Sequence, residues 1–287
     1  MKFLEDFPYL HSHDFKLSNI PTDEQLQDVC NIIRSRMIDI ISEQPRVSVV
    51  FPAYNEEMYL PLMLWTLSKL KTSVAVEIIG VNNASNDRTW EIMTQSWIGR
   101  IDESRKWVSY ARQAWLEATK WDIVATTDAD TQVPENWIDD SMKYFNQDPE
   151  LVCFSGWSKM IWIHPVQHII RIIPRTIRFI SWHGYFPKSQ NSFGWANTFF
   201  RKSIANSIGG YIPGFDLGED NLITQKMQWK GKVLMESTRN TTVITSNRRF
   251  DNGCKVLLAY WNNFLYSNWM NNKIFIVDKP ATFRDIR

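Results

Sequence analysis

The stretch that decides the fold runs from residue 47 to residue 57 and reads VSVVFPAYNEE. Residues 47–51 are nearly all apolar and mostly β-branched, which predicts a short strand buried on both faces. Pro52 stiffens the exit from this strand because its ring fixes the backbone φ angle, and a helical pattern follows. Glu56 and Glu57 precede that pattern. They either bind a polar ligand at the end of the strand or act as favourable acids at the start of the helix.

The alternation of strand and helix continues along the chain. Strand patterns occur at residues 77–81, 107–110, 123–127, 151–156 and 195–201, and helix patterns at residues 113–119 and 218–230. Near-continuous apolar strands that alternate with helices indicate a mostly parallel sheet covered on both faces. Ligands of such sheets bind where the strands end, so polar residues that follow the strands are the candidates for a site.

Ahead of this region, residues 1–45 predict an irregular arm followed by a helix. Thr22 is placed to cap the helix, and Gln25 stands three residues later, as in a capping box. The apolar residues that then recur at helical spacing, and predict one buried face, are Leu26, Val29, Ile33, Met37 and Ile40.

The strongest chemical signal is the run Asp128-Ala129-Asp130-Thr131-Gln132, which directly follows the strand pattern at residues 123–127. Two carboxylates one residue apart in a loop can converge on one hard cation such as Mg²⁺ or Mn²⁺. Gln132 adds a neutral oxygen to this set. We therefore expect a metal site here.

Two more charged motifs follow in the second half of the chain. Glu219 and Asp220 stand at the start of a predicted helix, where they either serve a reaction or simply charge the helix N-terminus. Arg248 and Arg249 form a compact basic motif, TSNRRF, at residues 245–250. Paired guanidinium groups suit phosphate oxygens, and the alternative is a basic turn on the surface.

In this order the motifs resemble those of the family-2 glycosyltransferases, over about residues 45–250. The segments that carry the resemblance are VSVVFPAYNEE (47–57), NNASNDRT (82–89), ARQA (111–114), TDADTQ (127–132), GWANTFFRK (194–202), IGGY (208–211) and GED (218–220). The resemblance implies an α/β fold of the GT-A type. We expect a mostly parallel central sheet flanked by helices, with helical additions at both ends of the chain.

The resemblance also implies roles for individual residues. It implies a UDP- or GDP-sugar donor whose diphosphate is bridged by a metal ion on Asp128, Asp130 and Gln132. Asp220 would take the proton of the attacking acceptor in an inverting transfer, with Glu219 beside it as a positioning or acceptor-binding group. The implied donor-binding residues are Pro52, Ala53, Tyr54, Glu56, Asn83, Asp87, Arg112, Asp128 and Ala129. The implied acceptor or phosphate contacts are Trp195, Asn197, Arg248 and Arg249.

The sequence departs from the family pattern in ways that leave points open. Asn82 and Asn83 replace the usual acids, and because an amide both donates and accepts hydrogen bonds, the nucleotide base stays open. Asp87 is also a candidate cap for the following helix. Arg112 corresponds to an arginine that lies near the nucleotide in the family, the alternative being an exposed helix arginine. The Gln-x-x-Arg-Trp motif of processive members is absent, which favours a non-processive enzyme.

Composition narrows the class of protein further. A chain of 287 residues with 44% hydrophobic residues can bury a large core, and a net charge of +1 gives no reason to expect nucleic-acid binding. Cys30, Cys153 and Cys254 match no metal-ligand spacing and suggest reduced thiols. No secretory signal and no bilayer-spanning segment is visible. We expect a cytoplasmic protein, and leave open whether it lies at the inner face of the membrane.

We expect three regions: residues 1–45, a glycosyltransferase domain at residues 46–250 and an aromatic helical extension at residues 251–287. Within the domain, residues 46–140 form the nucleotide half and residues 141–250 the acceptor half. The apolar and basic segment at residues 160–188 is open to three interpretations: a lid, a peripheral membrane contact that presents a lipid-linked acceptor, or a homodimer contact.

The sequence therefore predicts an inverting glycosyltransferase that acts on a glycan or lipid-linked acceptor in cell-surface glycan or glycolipid synthesis. A metal-dependent sugar nucleotidyltransferase is the rival enzyme, but the acceptor-side residues Asn197 and Asp220 favour the transferase. A catalytically silent relative that binds a sugar nucleotide is the rival from another class. The intact acids Asp128, Asp130 and Asp220 argue against it.

Overall fold

The computed structural model describes residues 22–161, 195–214, 219–236, 238–246 and 248. Several expectations lie outside these residues: the arm before Thr22, the apolar segment beyond Ile161, Arg249 and the aromatic extension at residues 251–287. No helix in the described ranges is both long enough and apolar enough to cross a membrane.

Strands and helices alternate through the first half of the chain, as expected from the sequence. The helices are α1 (Asp23–Ile40), α2 (Leu60–Leu67), α3 (Thr89–Gln95), α4 (Val108–Ala118), α5 (Trp137–Gln147), α6 (Lys202–Ser207) and α7 (Glu219–Gln228). The strands are β1 (Val47–Ala53), β2 (Val76–Asn82), β3 (Gly99–Asp102), β4 (Ile123–Thr126), β5 (Thr131–Gln132), β6 (Leu151–Ser155), β7 (Trp157–Ile161), β8 (Thr198–Arg201), β9 (Lys232–Met235) and β10 (Thr242–Ser246).

The main sheet has seven strands in the order β3-β2-β1-β4-β8-β6-β9. All of them run in one direction except β8, which is antiparallel to both of its neighbours. Strands β1, β2 and β4 therefore end at the same edge of the sheet, and β8 begins there, with Thr198 opposite Thr126. We call this edge the site edge. A smaller sheet has the order β5-β10-β7.

Helices cover both faces of the main sheet, and β1 is therefore buried on each side. Val49 and Phe51 belong to a core cluster with α1, α2, α3 and α5. Val50 points to the opposite face, into a second cluster with residues of α4 and α7. This arrangement confirms the expected fold class of a largely parallel sheet flanked by helices.

The N-terminal helix follows its prediction closely. The Thr22 hydroxyl accepts a hydrogen bond from the backbone N–H of Gln25 at 3.3 Å, and the Gln25 side chain accepts one from the Thr22 N–H at 3.0 Å. This is the capping box that the sequence indicates. The predicted buried residues Leu26, Val29, Ile33 and Met37 are each no more than 2% exposed.

Two strand predictions need correction. The sequence predicts a strand at residues 107–110, but α4 begins at Val108, and its buried residues Ser109, Arg112 and Leu116 recur at helical spacing. The neighbouring strand is instead β3, an edge strand that is mostly exposed and therefore lacks an apolar pattern. Residues 195–197 were also assigned to a strand, and they form a turn of 3₁₀ helix ahead of β8.

Candidate active site

Two loops at the site edge, after β1 and after β2, are tied to each other by hydrogen bonds from backbone N–H groups to side chains. The N–H of Glu56 donates to the Thr89 hydroxyl at 2.7 Å, and the N–H of Glu57 donates to the Asp87 carboxylate at 3.1 Å. The other oxygen of Asp87 accepts the N–H of Thr89, the first residue of α3, at 2.9 Å. Asp87 therefore accepts the first N–H of α3 from one residue ahead of the N-cap position, which Arg88 occupies, and also fixes the loop that carries Glu56.

The two asparagines that replace the usual acids hold neighbouring loops in place. The Asn82 amide donates to the Asp102 carboxylate at 2.9 Å. The Asn83 amide donates to the backbone carbonyls of Glu103 at 3.2 Å and Arg105 at 2.7 Å. Both amide hydrogens of Asn83 are thus engaged within the protein, so neither can be donated to a base.

The loop after β4 places two carboxylates at the site edge with different exposure. The Asp128 side chain is 19% exposed, whereas that of Asp130 is only 4% exposed. The backbone carbonyl of Asp128 accepts the N–H of Thr131 at 3.0 Å, which turns the chain tightly into β5. Ala129, between the two acids, is buried. The loop therefore presents Asp128 outward and Asp130 toward the protein.

Asp130 is paired with Arg248, which reaches it from the end of β10. Nε of Arg248 lies 3.0 Å from Oδ2 of Asp130, and Nη2 lies 2.5 Å from Oε1 of Glu56. The guanidinium carbon also stands 4.0 Å from the ring centroid of Tyr59. Burial alone would lower the pKa of Arg248, but the charges of Asp130 and Glu56 raise it above its ordinary value. Arg248 is therefore permanently charged and joins the β1 and β4 loops.

A second buried arginine, Arg112 on α4, pairs with an acid of α7 and with one of the β4 loop. Its Nε lies 3.2 Å from Oε1 of Glu219, and its Nη2 lies 4.0 Å from Oδ1 of Asp128. Burial alone would lower the pKa of Arg112, but the charges of Glu219, Asp220 and Asp128 raise it. The Arg112 side chain is 8% exposed, which excludes the alternative of an exposed helix arginine. Arg112 thus brings the acids of α7 and of the β4 loop into one electrostatic cluster.

The carboxylates of the β4 loop suit a hard cation in their chemistry, since both are oxygen ligands on one short loop. In the described residues no group of three or more His, Cys, Asp or Glu side chains stands together as a metal cage. The third expected ligand, Gln132, lines a cavity of about 620 Å³ with Lys159 and Ile244. In their donor chemistry Asp128 and Asp130 therefore fit a cation. Gln132 is not brought to them in the same way, because the lining of its cavity includes neither acid.

Asn197, an expected acceptor contact, has a structural role in this fold. It is fully buried, and its amide donates to the carbonyls of Trp157 at 3.0 Å and Thr241 at 2.8 Å. Its carbonyl accepts the indole N–H of Trp137 at 2.8 Å. These bonds join the small sheet to the main sheet. This structural role differs from the predicted contact with the acceptor. The side chain of Trp195 lies outside the described atoms.

Two aromatic residues belong to the site but were not predicted. Tyr59 lies beneath the Arg248 guanidinium, and Tyr211 lies beside Arg112, where burial raises the pKa of its hydroxyl well above the ordinary value. Tyr211 is the last residue of the IGGY motif, so the sequence already points to this position. Tyr59 lies three residues after Glu56, and that spacing alone gives no specific signal.

The sheet order and the acids gathered at its site edge define an α/β protein of the nucleotide-sugar-binding type. Residues 48–206, more than half of the chain, match the family model described as glycosyl transferase family 2. The chain belongs to this family. Membership in a family of glycosyltransferases disfavours the rival prediction of a nucleotidyltransferase.

Similar proteins agree with this assignment. Over 122 residues the chain is 34% identical to the undecaprenyl-phosphate 4-deoxy-4-formamido-L-arabinose transferase of Pectobacterium atrosepticum, a match that covers 39% of this chain and 37% of that relative. The chain thus spans little more than a third of that relative's length.

Solved structures share the fold at low identity. S. aureus TarS 1–349 in complex with UDP-GlcNAc matches with a TM-score of 0.53 and 15% identity, over 71% of this chain and 59% of that chain. The mannosyltransferase PcManGT of Pyrobaculum calidifontis, in complex with GDP-Man and Mn²⁺, matches with a TM-score of 0.56 and 14% identity, over 88% and 77%. The expected GT-A fold is confirmed.

Proposed function

We propose that the protein is an inverting glycosyltransferase that moves a sugar from a UDP- or GDP-sugar to a hydroxyl or phosphate of its acceptor. The observation that carries this proposal is the convergence of Glu56, Asp128, Asp130, Glu219 and Asp220 on one edge of the sheet. These acids come from three separate segments of the chain, and two buried arginines hold them together. Such a cluster of carboxylates suits a metal diphosphate and a proton transfer in one place.

The donor would lie over the loops after β1, β2 and β4. A Mg²⁺ or Mn²⁺ ion held by Asp128 and Asp130 would neutralise the charge that develops on the departing diphosphate. The complex of PcManGT with GDP-Man and Mn²⁺ supports this choice of partners. Pro52, Ala53 and Tyr54 at the end of β1 would line the nucleoside. Asn83 lies beside them, since its backbone N–H donates to the Ala53 carbonyl at 2.8 Å.

Asp220 is the proposed general base. It stands in the first turn of α7, next to Glu219, and it shares the charge of Arg112 with Asp128. In an inverting transfer its carboxylate would take the proton from the acceptor as the acceptor oxygen attacks the anomeric carbon. Glu219 is buried against Arg112, so its proposed part is to position α7 rather than to contact the reacting atoms.

The acceptor class is proposed from the named relative, a transferase whose substrate is undecaprenyl phosphate. By analogy the acceptor here would be a glycan or a lipid-linked phosphate, and the reaction would serve cell-surface glycan or glycolipid synthesis. A cytoplasmic protein at the inner face of the membrane would meet both substrates.

A thermal-shift screen tests the donor, because a ligand that binds the native state raises the melting temperature by mass action. The protein would be screened with UDP- and GDP-sugars in the presence of Mn²⁺. We expect one nucleotide series to stabilise it, and the sugar that adds most to that stabilisation identifies the donor. If no sugar nucleotide changes the melting temperature, the proposal is wrong.

The variant Asp220→Asn tests the chemistry. It should bind the donor normally but lose transfer by about 10²–10⁴-fold, because an amide cannot accept the proton. Asp28→Asn, on an exposed position of α1, is the matched control and should keep full activity. Transfer by Asp220→Asn within a few-fold of the wild type would assign the base to another group.

A further inference from the structure

Arg248 occupies a position that bears directly on cation binding. It contacts both Asp130 and Glu56, and its side chain is only 17% exposed. The two carboxylates are 4% and 6% exposed, so solvent screens their attraction to the guanidinium poorly. Arg248 thus serves in the free protein as the counter-charge of the buried Asp130 carboxylate.

A divalent cation on Asp130 would compete with this pairing. The cation and the guanidinium carry like charges and would share one carboxylate, at a separation of a few ångströms and with little water between them. Glu56 contacts the neighbouring nitrogen Nη2 of the same guanidinium, so it holds Arg248 close to Asp130 and does not relieve the conflict. Cation binding therefore requires that Arg248 withdraw from Asp130 or gain a new anionic partner.

A diphosphate supplies such a partner. Its oxygens accept the paired N–H groups of a guanidinium in the same geometry as a carboxylate does. A nucleotide diphosphate bound beside Asp128 and Asp130 would add negative charge to the cluster and would attract both the cation and Arg248.

We propose that Arg248 is the counter-ion of Asp130 in the free protein and opposes the binding of a divalent cation until a nucleotide diphosphate is present. The cation and the diphosphate then bind with strong positive coupling, which by linkage is the same whichever of them binds first. This inference rests on the proposed function of the site, and it assigns to Arg248 a role in the order of binding in addition to any phosphate contact.

Titration of the protein with Mn²⁺ alone tests the inference without any enzymatic reaction. Free Mn²⁺ would be followed by its electron paramagnetic resonance signal, first with the wild type and then with Arg248→Gln. The variant should bind Mn²⁺ at least about tenfold more tightly, and added UDP or GDP should enhance its Mn²⁺ affinity less than it does for the wild type. Arg46→Gln, which removes an exposed arginine at the end of β1 away from the site edge, is the matched control and should behave as the wild type.

Because Arg248→Gln leaves two buried carboxylates without their cation, a second variant guards against misfolding. Glu56→Gln together with Arg248→Gln removes one charge of each sign and leaves Asp130 available to a cation. It should also bind Mn²⁺ more tightly than the wild type. Equal or weaker Mn²⁺ binding by this folded double variant would overturn the inference. The proposed function fails on a different result, namely that the wild type binds neither UDP nor GDP in the presence of Mn²⁺.

Discussion

At the scale of single residues, the site depends on two arginines that are buried among acids. Arg112 and Arg248 are each within 4.0 Å of two carboxylates that belong to different segments of the chain. A buried charge is costly unless it is fully paired, and removal of one partner leaves the other uncompensated. The two arginines therefore couple the geometry of the site to the stability of the fold.

Arg112→Met should destabilise the protein by about 3–5 kcal/mol, because Glu219 would remain buried without its cation. Urea denaturation measures this loss. The double variant Arg112→Met with Glu219→Gln should recover part of the stability, since the carboxylate charge is then absent as well. If Arg112→Met unfolds at the same urea concentration as the wild type, the ion pair does not hold α7.

The sequence indicated that these arginines matter, but it could not indicate what they contact. Arg248 and Glu56 are 192 positions apart, and no local pattern links residues at that distance. Their contact depends on the register of β10 in the small sheet, where Thr245 lies opposite Thr131. An arginine that was expected to face a phosphate is thus found on a carboxylate of the expected metal site.

At the scale of elements, the small sheet positions the site, and Asn197 fastens it to the main sheet. The backbones of the two sheets lie so close together at Gly156 that an added Cβ would stand 2.0 Å from the carbonyl oxygen of Thr241. Gly156 is therefore required by contact with the backbone. The short strands of this sheet, such as the two residues of β5, carry little apolar pattern, which explains why β5 and β7 could not be predicted.

Asn197→Ala should destabilise the fold by about 2–5 kcal/mol, because the Trp137 indole and the Thr241 carbonyl would lose their buried hydrogen-bond partner. At a temperature where the variant remains folded, it should still bind the donor. If the variant has normal stability but binds the acceptor poorly, Asn197 contacts the acceptor as the sequence predicts. Differential scanning calorimetry and a donor titration on the same sample separate the two outcomes.

Local patterns explain which elements could be predicted. Strands β2 and β4 are buried along their full length and β1 at every residue except Pro52, so their apolar runs stand out from the sequence. Helix α1 shows both a cap and one buried face. Strand β3 is exposed at the edge of the sheet, and only its pairing with β2 makes it a strand.

At the scale of the whole molecule, the strand order explains how distant motifs form one site. Six strands of the main sheet run in one direction, so the loops after β1, β2 and β4 meet at the site edge, and the reversed strand β8 starts there as well. The order of the motifs along the chain could be recognised from the sequence. Their distances could not, because they depend on how α4, α7 and β10 pack around the sheet.

The central claim is that this edge binds a nucleotide diphosphate through a divalent cation. Isothermal titration calorimetry of the wild-type protein with UDP and with GDP, in Mn²⁺ and again in excess chelator, tests it most directly. We predict that one of the two nucleotides binds in Mn²⁺ and that its binding weakens at least about tenfold in chelator. Without the cation, the acids of the site outnumber its two buried arginines and repel the diphosphate. Equal affinity with and without the cation would contradict the account.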